Sequence, residues 1–155
     1  MEVPIGTIIA FGGKVTAIPN NYLLCDGKKY DRDGDYRDLF AAIDLAWGGD
    51  AVEFNVPDLR GLFLRGVNGT REGDFCDPDS TNRSSGNAVG SIQPDAIRSH
   101  SHGYTAPPTG GSYGGGNPGN IPQNPPPANP TTAPFGGSET RPKNAYVYYL
   151  IKARN

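Results

Sequence analysis

The sequence predicts an α+β fold that is rich in β-structure and contains one helix. Two segments near the ends of the chain, 4–11 and 145–153, are rich in β-branched and aromatic residues, which favours strands. Between them, residues 35–47 carry apolar side chains at helical spacing. Most large apolar residues lie before Val67 or after Tyr146, so these two parts of the chain must supply the core.

The first two strands are predicted from short apolar runs that end at turns. The run in 4–11 stops at Gly12-Gly13, and a second strand over 22–25 stops at Asp26-Gly27, a strong turn dipeptide. Cys25 lies in this second apolar run, where a buried free thiol is the common outcome. We therefore expect Cys25 and Cys76 to be reduced, although two cysteines permit one disulfide.

The helix is predicted over 35–47. Its apolar face consists of Leu39, Phe40, Ile43 and Trp47. Asp33 or Asp35 can cap its start, and Gly48-Gly49 can end it.

The segment 54–66 alternates apolar and polar residues around a glycine and indicates extended chain with tight bends. Asp58 and Arg60 flank one residue in a bend that follows a proline. We expect them to hold this bend through hydrogen bonds and not to perform chemistry. A compact module is predicted to close at Val67, which makes residues 1–67 one domain and 68–155 a distal region.

The distal region begins with a polar, turn-forming stretch. Residues 68–90 show neither a period of 2 nor a period of 3.6, so they are predicted to form a surface loop. Asp74, Asp77 and Asp79 offer oxygen ligands for calcium, but their spacing is not that of an EF-hand loop. A solvated acidic turn is the preferred interpretation.

Residues 103–137 hold nine glycines, nine prolines and no charged residue, so regular structure is not expected there. A stretch of this length inside a compact domain is typical of a functional loop or of disorder. We predict a loop that projects outward before the last strand, 145–153, returns to pair with the N-terminal sheet. Because the middle of the chain has no core of its own, it needs support from outside, which indicates oligomerisation.

The overall charge of the chain, and the absence of several catalytic and targeting motifs from its sequence, argue against several classes of function. The net charge of −2 and the scattered lysines and arginines give no basic field, so nucleic acid is not expected as a partner. Neither a signal peptide nor an apolar run long enough for membrane insertion is apparent. Phosphate loops, nucleophile elbows and zinc-protease motifs are absent, and nothing places the carboxylates of Asp31 and Asp33 in a cleft. The sequence predicts a protein that is not an enzyme.

His100 and His102 are the candidate metal ligands. In an extended segment two residues at this spacing project from the same face. Two imidazoles from one chain are too few to close a site. From the residues alone a pair of exposed surface histidines is the favoured interpretation, and a metal site shared between chains is the alternative.

Three aromatic residues interrupt the uncharged loop: Tyr104, Tyr113 and Phe135. Aromatic rings beside Asn and Gly suit sugars or flat apolar surfaces and lose little conformational entropy on contact. We predict that these residues contact a receptor. The alternative is that the rings pack inward and fix the loop to the rest of the protein.

Four blocks of the chain, in their order and spacing, resemble the phage tail collar domain of tail fibres. The blocks are residues 4–8, 23–27, 39–43 and 54–61. Residues 90–95, the histidine pair and residues 139–144 are similar to the distal part of such fibres. The chain departs from the usual pattern at Tyr22, where tryptophan is common, and at Asp44, where glycine is frequent.

The resemblance implies a small collar module followed by an intertwined, loop-rich tip of a homotrimeric fibre, joined to an upstream fibre shaft. Such fibres belong to virions or to extracellular phage-like particles, and are made in the cytoplasm. In that setting His100 and His102 of three chains around a threefold axis would supply six imidazoles in an octahedral arrangement and hold one metal ion per trimer, with Fe(II) expected first and Zn(II) or Ni(II) as alternatives. The expected function is adhesion to a cell-surface receptor, either a glycan or a protein of the outer membrane. A purely structural collar or assembly module is the second hypothesis, and a glycan depolymerase is the third.

Overall fold

The computed structural model describes residues 3–83, 85–97, 99–100 and 140–155. The chain forms two compact units, one of Met1–Pro94 with Lys143–Asn155 and the other of Asp95–Pro142. The first unit therefore continues past Val67, the predicted end of the compact module. It contains the strands and the α-helix of the described residues: β1 (Ile8–Phe11), β2 (Tyr22–Leu24), β3 (Lys29–Asp31), α1 (Arg37–Ile43), β4 (Glu53–Asn55) and β5 (Tyr148–Lys152).

The C-terminal strand β5 lies in the centre of a three-stranded antiparallel sheet, between β1 and β2. Ile151 is opposite Ile8 on one side and opposite Leu23 on the other. This confirms that the last strand returns to the N-terminal sheet. Both outer strands are shorter than their apolar runs predict, and β1 begins only after a turn at Gly6, whose φ is 86°.

Helix α1 has seven residues and is shorter than predicted at both ends. The predicted caps are wrong, because Tyr36 occupies the N-cap position and makes no side-chain capping hydrogen bond. The helix ends at Asp44, whose φ of 48° is uncommon outside glycine but tolerated by aspartate. The positive φ accounts for the frequent glycine at this position in the resembling family. No helix in the described ranges has the length and apolar character needed to cross a bilayer.

A second, two-stranded sheet pairs β3 with β4 and places Tyr30 opposite Phe54. The core forms where this sheet, α1 and β5 meet. Phe54 and Leu39 are fully buried, and the Phe54 ring lies 5.4 Å from the ring of Phe40 and 6.3 Å from that of Tyr30. The core is therefore built from both ends of the chain.

Both cysteines are free thiols, as predicted. Cys25 is a core residue, and its burial raises the pKa of the thiol to about 12. The thiol is consequently neutral at physiological pH, and it behaves as a small apolar side chain.

Candidate functional site

A cavity of about 330 Å³ lies in the first unit. One wall comes from core elements and includes Ile8, Trp47 and Leu59, and the rest comes from residues 62–93. We call it the Trp47 cavity. Two of its side chains, Phe63 and Val89, are 61% and 58% exposed, so the cavity is open to solvent.

At Gly90, the segment that forms part of the cavity wall lies against Ala46, in the turns that follow α1. This glycine has a φ of 88°, and a Cβ atom built on it would overlap the carbonyl oxygen of Ala46. A turn in which Ser91 N–H donates to the Ala88 carbonyl, at 3.3 Å, brings the segment to this position. Since only glycine fits both the conformation and the space, the local sequence sets the wall beside Trp47.

Four polar side chains on the cavity wall form one hydrogen-bonded group, which we call the Asp77 cluster: Arg65, Asp77, Arg83 and Gln93. The Asp77 carboxylate is 4% exposed and accepts a hydrogen bond from Arg83 Nη2. Arg65 Nη1 lies 3.7 Å from the other carboxylate oxygen. Gln93 Oε1 accepts from Arg83 Nη2 at 2.6 Å and from Arg65 Nη1 at 3.4 Å. Two guanidinium groups thus share one carboxylate and one amide.

Two asparagines hold the backbone that carries this cluster. The side chain of Asn68 binds both backbone polar groups of Asp77. Asn68 Oδ1 accepts from the Asp77 N–H at 3.0 Å, and Asn68 Nδ2 donates to the Asp77 carbonyl at 3.2 Å. Asn87 Oδ1 accepts from the Asn68 N–H at 3.0 Å, while its Nδ2 donates to the Gly69 carbonyl at 2.9 Å. The stretch predicted as a surface loop is therefore a series of turns linked by side-chain hydrogen bonds.

The prediction of a solvated acidic turn is correct for Asp74 and Asp79, which are exposed, and wrong for Asp77. Asp77 is buried because guanidinium groups neutralise it, which a sequence without helical or strand periodicity does not reveal. In the part of the chain that the structure describes, no three or more His, Cys, Asp or Glu residues gather into a potential metal site.

Asp58 and Arg60 form the bend that the sequence predicts. Arg60 Nε and Nη2 donate to the two carboxylate oxygens of Asp58 at 2.8 and 2.6 Å. These hydrogen bonds hold the pKa of Asp58 below its ordinary value, with a further contribution from the backbone N–H of Arg60. Next to the bend, Gly27 N–H donates to the Pro57 carbonyl at 3.1 Å, and this backbone hydrogen bond holds the segment against the turn that follows β2.

Of the predicted metal and receptor residues, the structure describes one. His100 is exposed and belongs to the second unit. His102, Tyr104, Tyr113 and Phe135 lie outside the described residues, so their assignment stays a prediction. Asp31 uses its carboxylate locally, to accept the N–H of Asp33 at 2.9 Å.

Sequence reasoning did not find the Trp47 cavity or the Asp77 cluster. The available signals were the dipeptides Asn68-Gly69 and Gly86-Asn87, which mark turns. Nothing in the spacing of the cluster residues indicated that their side chains meet. The cluster depends on contacts across many residues of irregular chain, and no local motif encodes such contacts.

Comparison with known proteins gives two matches. Residues 6–64 match the family described as Phage Tail Collar Domain. Protein RhiB of Rhizobium leguminosarum bv. viciae is 36% identical over an aligned stretch of 164 positions, gaps included. The alignment covers 99% of this chain and 69% of RhiB. The first match spans every described strand and helix before the polar turns, and the second extends the similarity over nearly the whole chain. The chain belongs to the phage tail collar domain family and is a structural protein of the tail-fibre type.

Proposed function

We propose that this protein is the receptor-binding tip of a homotrimeric tail fibre and that it adheres to a cell-surface glycan or outer-membrane component. The observation that carries the proposal is the collar domain at residues 6–64, followed by a long uncharged, glycine- and proline-rich segment. Three loops on one trimer would bind with avidity, because the first contact raises the effective concentration of the other two. The proposed contacts are Tyr104, Tyr113 and Phe135.

Exposed apolar side chains of the first unit support the proposed trimer. Tyr146 is 97% exposed, and the next two residues, Val147 and Tyr148, are exposed as well. Large exposed apolar groups that adjoin one another, unlike single ones, mark surfaces that a partner covers. Further copies of the same chain would cover them and would also give the distal segment something to pack against.

Adhesion is tested with the intact trimer on whole cells and on a glycan array. We expect the trimer to bind. We expect Tyr113→Ala to weaken binding severalfold without a change in Tm, because the variant loses the contact area between the ring and the receptor, and a ring that faces the receptor contributes no core packing. Phe75→Ala is the matched control, since Phe75 is an exposed aromatic residue of the first unit.

Each alternative function predicts a different result in the same experiment. An intact trimer that binds neither cells nor glycans would favour the structural collar or assembly module. A Tyr113→Ala variant with a lowered Tm and unchanged binding would assign Tyr113 to packing. Release of products from a labelled polysaccharide would support the depolymerase.

The proposed metal is one ion per trimer, Fe(II) first and Zn(II) or Ni(II) next, held by His100 and His102 of three chains. Two imidazoles from one chain are too few to close a site, so these residues fit such an ion as a site shared between chains. Imidazole nitrogens are suitable ligands for all three ions. Bound there, the metal would fix the chains together immediately before the uncharged loop.

Native mass measurement combined with elemental analysis tests the metal. We expect one ion for every three chains, and we expect His100→Ala with His102→Ala to lower the Tm of the trimer by several degrees, because the metal links three chains. Ser99→Ala with Ser101→Ala is the matched control, since these residues alternate with the histidines. A metal-free trimer that is as stable as the preparation with metal would overturn the assignment.

A further inference from the structure

We propose that the Trp47 cavity binds a uronic acid residue of an acidic polysaccharide. The lining residues of the site all belong to the first unit, some within the collar domain and most in the turns that follow it. The site does not depend on the proposed adhesion through Tyr104, Tyr113 and Phe135.

The size of the cavity suits one sugar residue. At about 330 Å³ it lies at the lower end of the range of roughly 300–1,000 Å³ typical of small-molecule sites. Exposed side chains at the rim, among them Phe63 and Val89, leave the cavity open on one side. A single residue can enter while the neighbouring residues of the polysaccharide remain in solvent.

One wall of the cavity is apolar and aromatic. The half-buried indole of Trp47 lies in this wall together with Ile8 and Leu59. A pyranose ring carries C–H groups on its faces and hydroxyl groups around its edge. Such a ring can pack a face against the indole while its polar edge reaches the opposite wall.

The polar wall carries an excess of positive charge. Its charged residues are two arginines, Arg65 and Arg83, and one aspartate, Asp77, so one guanidinium charge is not balanced within the lining. Asp79, which accepts from Gln93 Nε2 at 3.3 Å, is exposed and is not part of the lining. A carboxylate on the ligand would balance this charge, whereas a neutral sugar would not.

A buried donor also lacks an acceptor. Arg83 Nε is buried, and within the described ranges it has no hydrogen-bond partner, although both terminal nitrogens of the same guanidinium are engaged. Buried N–H groups are nearly always paired in folded proteins. The Arg83 guanidinium, which lines the cavity, therefore keeps one donor that the Asp77 cluster does not use.

Fluorescence provides a direct test, because Trp47 is the one tryptophan in the chain and reports on this cavity. The full-length protein is titrated with sodium glucuronate and sodium galacturonate, with glucose and galactose as neutral analogues and sodium chloride as the ionic-strength control. We expect a saturable change with at least one uronate, and binding weaker by about tenfold or more for its neutral analogue. Equal binding of the acid and neutral sugars, or no saturable change with either uronate, would overturn the proposal.

Two arginine variants test the charge argument. Arg65 is half exposed and is the outer of the two guanidinium groups at Asp77, so Arg65→Gln leaves the buried pair intact. We expect it to weaken uronate binding about tenfold and to leave binding of the neutral sugar unchanged. Arg71→Gln is the matched control, because Arg71 lies over the Phe75 ring and outside the lining. Unchanged uronate affinity in Arg65→Gln would contradict the site, whereas a loss of cell adhesion alone would concern only the distal loop.

Discussion

Replacing Phe54 with alanine is expected to lower the free energy of unfolding by about 3–5 kcal/mol, the range found for large aromatic residues in cores. Phe54 is fully buried in β4, and its ring packs against those of Phe40 and Tyr30. It lies where the two-stranded sheet meets the helix and the C-terminal strand, so the resulting cavity would open in the centre of the fold. Urea denaturation followed by circular dichroism measures the change.

Phe75→Ala is the control for the loss of an aromatic side chain as such. Phe75 is 84% exposed and contacts the guanidinium of Arg71 at 5.4 Å. Its removal is expected to cost less than about 1 kcal/mol, which is typical of an exposed cation–π contact. Similar losses of stability in Phe54→Ala and Phe75→Ala would mean that the core is not organised around β4.

The parts of the fold that the sequence predicts correctly are those whose composition determines their structure. The apolar runs around Ile8, Leu23 and Ile151 form the three-stranded sheet, because strands buried on a shared face need β-branched and apolar residues. The apolar spacing around Leu39 likewise forms the helix. In each case the centre of the element is correct and at least one end is not, although β1 ends at Phe11 and β2 begins at Tyr22 as predicted.

The errors arise where tertiary contacts decide the local structure. Strand β3 consists of Tyr30 between Lys29 and Asp31, a composition that does not favour a strand, and it forms because Tyr30 pairs with Phe54. The helix ends early because Asp44 takes a positive φ, a conformation that propensity does not encode. Pairing partners and backbone turns of this kind become visible only in the folded chain.

The Trp47 cavity illustrates the same limit for the candidate site. Each residue of the Asp77 cluster, taken alone in the sequence, is typical of a solvated polar loop. They form a site only because the Asp77 carboxylate is buried. A carboxylate removed from water requires the guanidinium groups that surround it. The sequence therefore indicated the family, whereas the polar cavity required knowledge of which distant residues meet.

Breaking the buried ion pair of this cluster is expected to have the second large effect on stability. Asp77→Asn keeps the shape of the side chain but removes the charge that faces Arg83, whose side chain is only 14% exposed. Loss of one partner of a buried pair leaves the other charge uncompensated, and the cost is about 3 kcal/mol, the lower end of the usual range. Urea denaturation followed by the fluorescence of Trp47, which lies in the same cavity wall, measures it.

The double variant Asp77→Asn with Arg83→Gln separates the interaction from the two substitutions. If the charges stabilise each other, the double variant loses clearly less stability than the sum of the two single variants, because neither charge is then left unpaired. The exposed pair of Lys29 and Glu53, at 3.5 Å, is the matched control, and its removal is expected to cost less than about 1 kcal/mol. Additive losses at Asp77 and Arg83 would instead show that each side chain acts through its other hydrogen bonds, and that Asn68 and Asn87, more than charge, hold the turns in place.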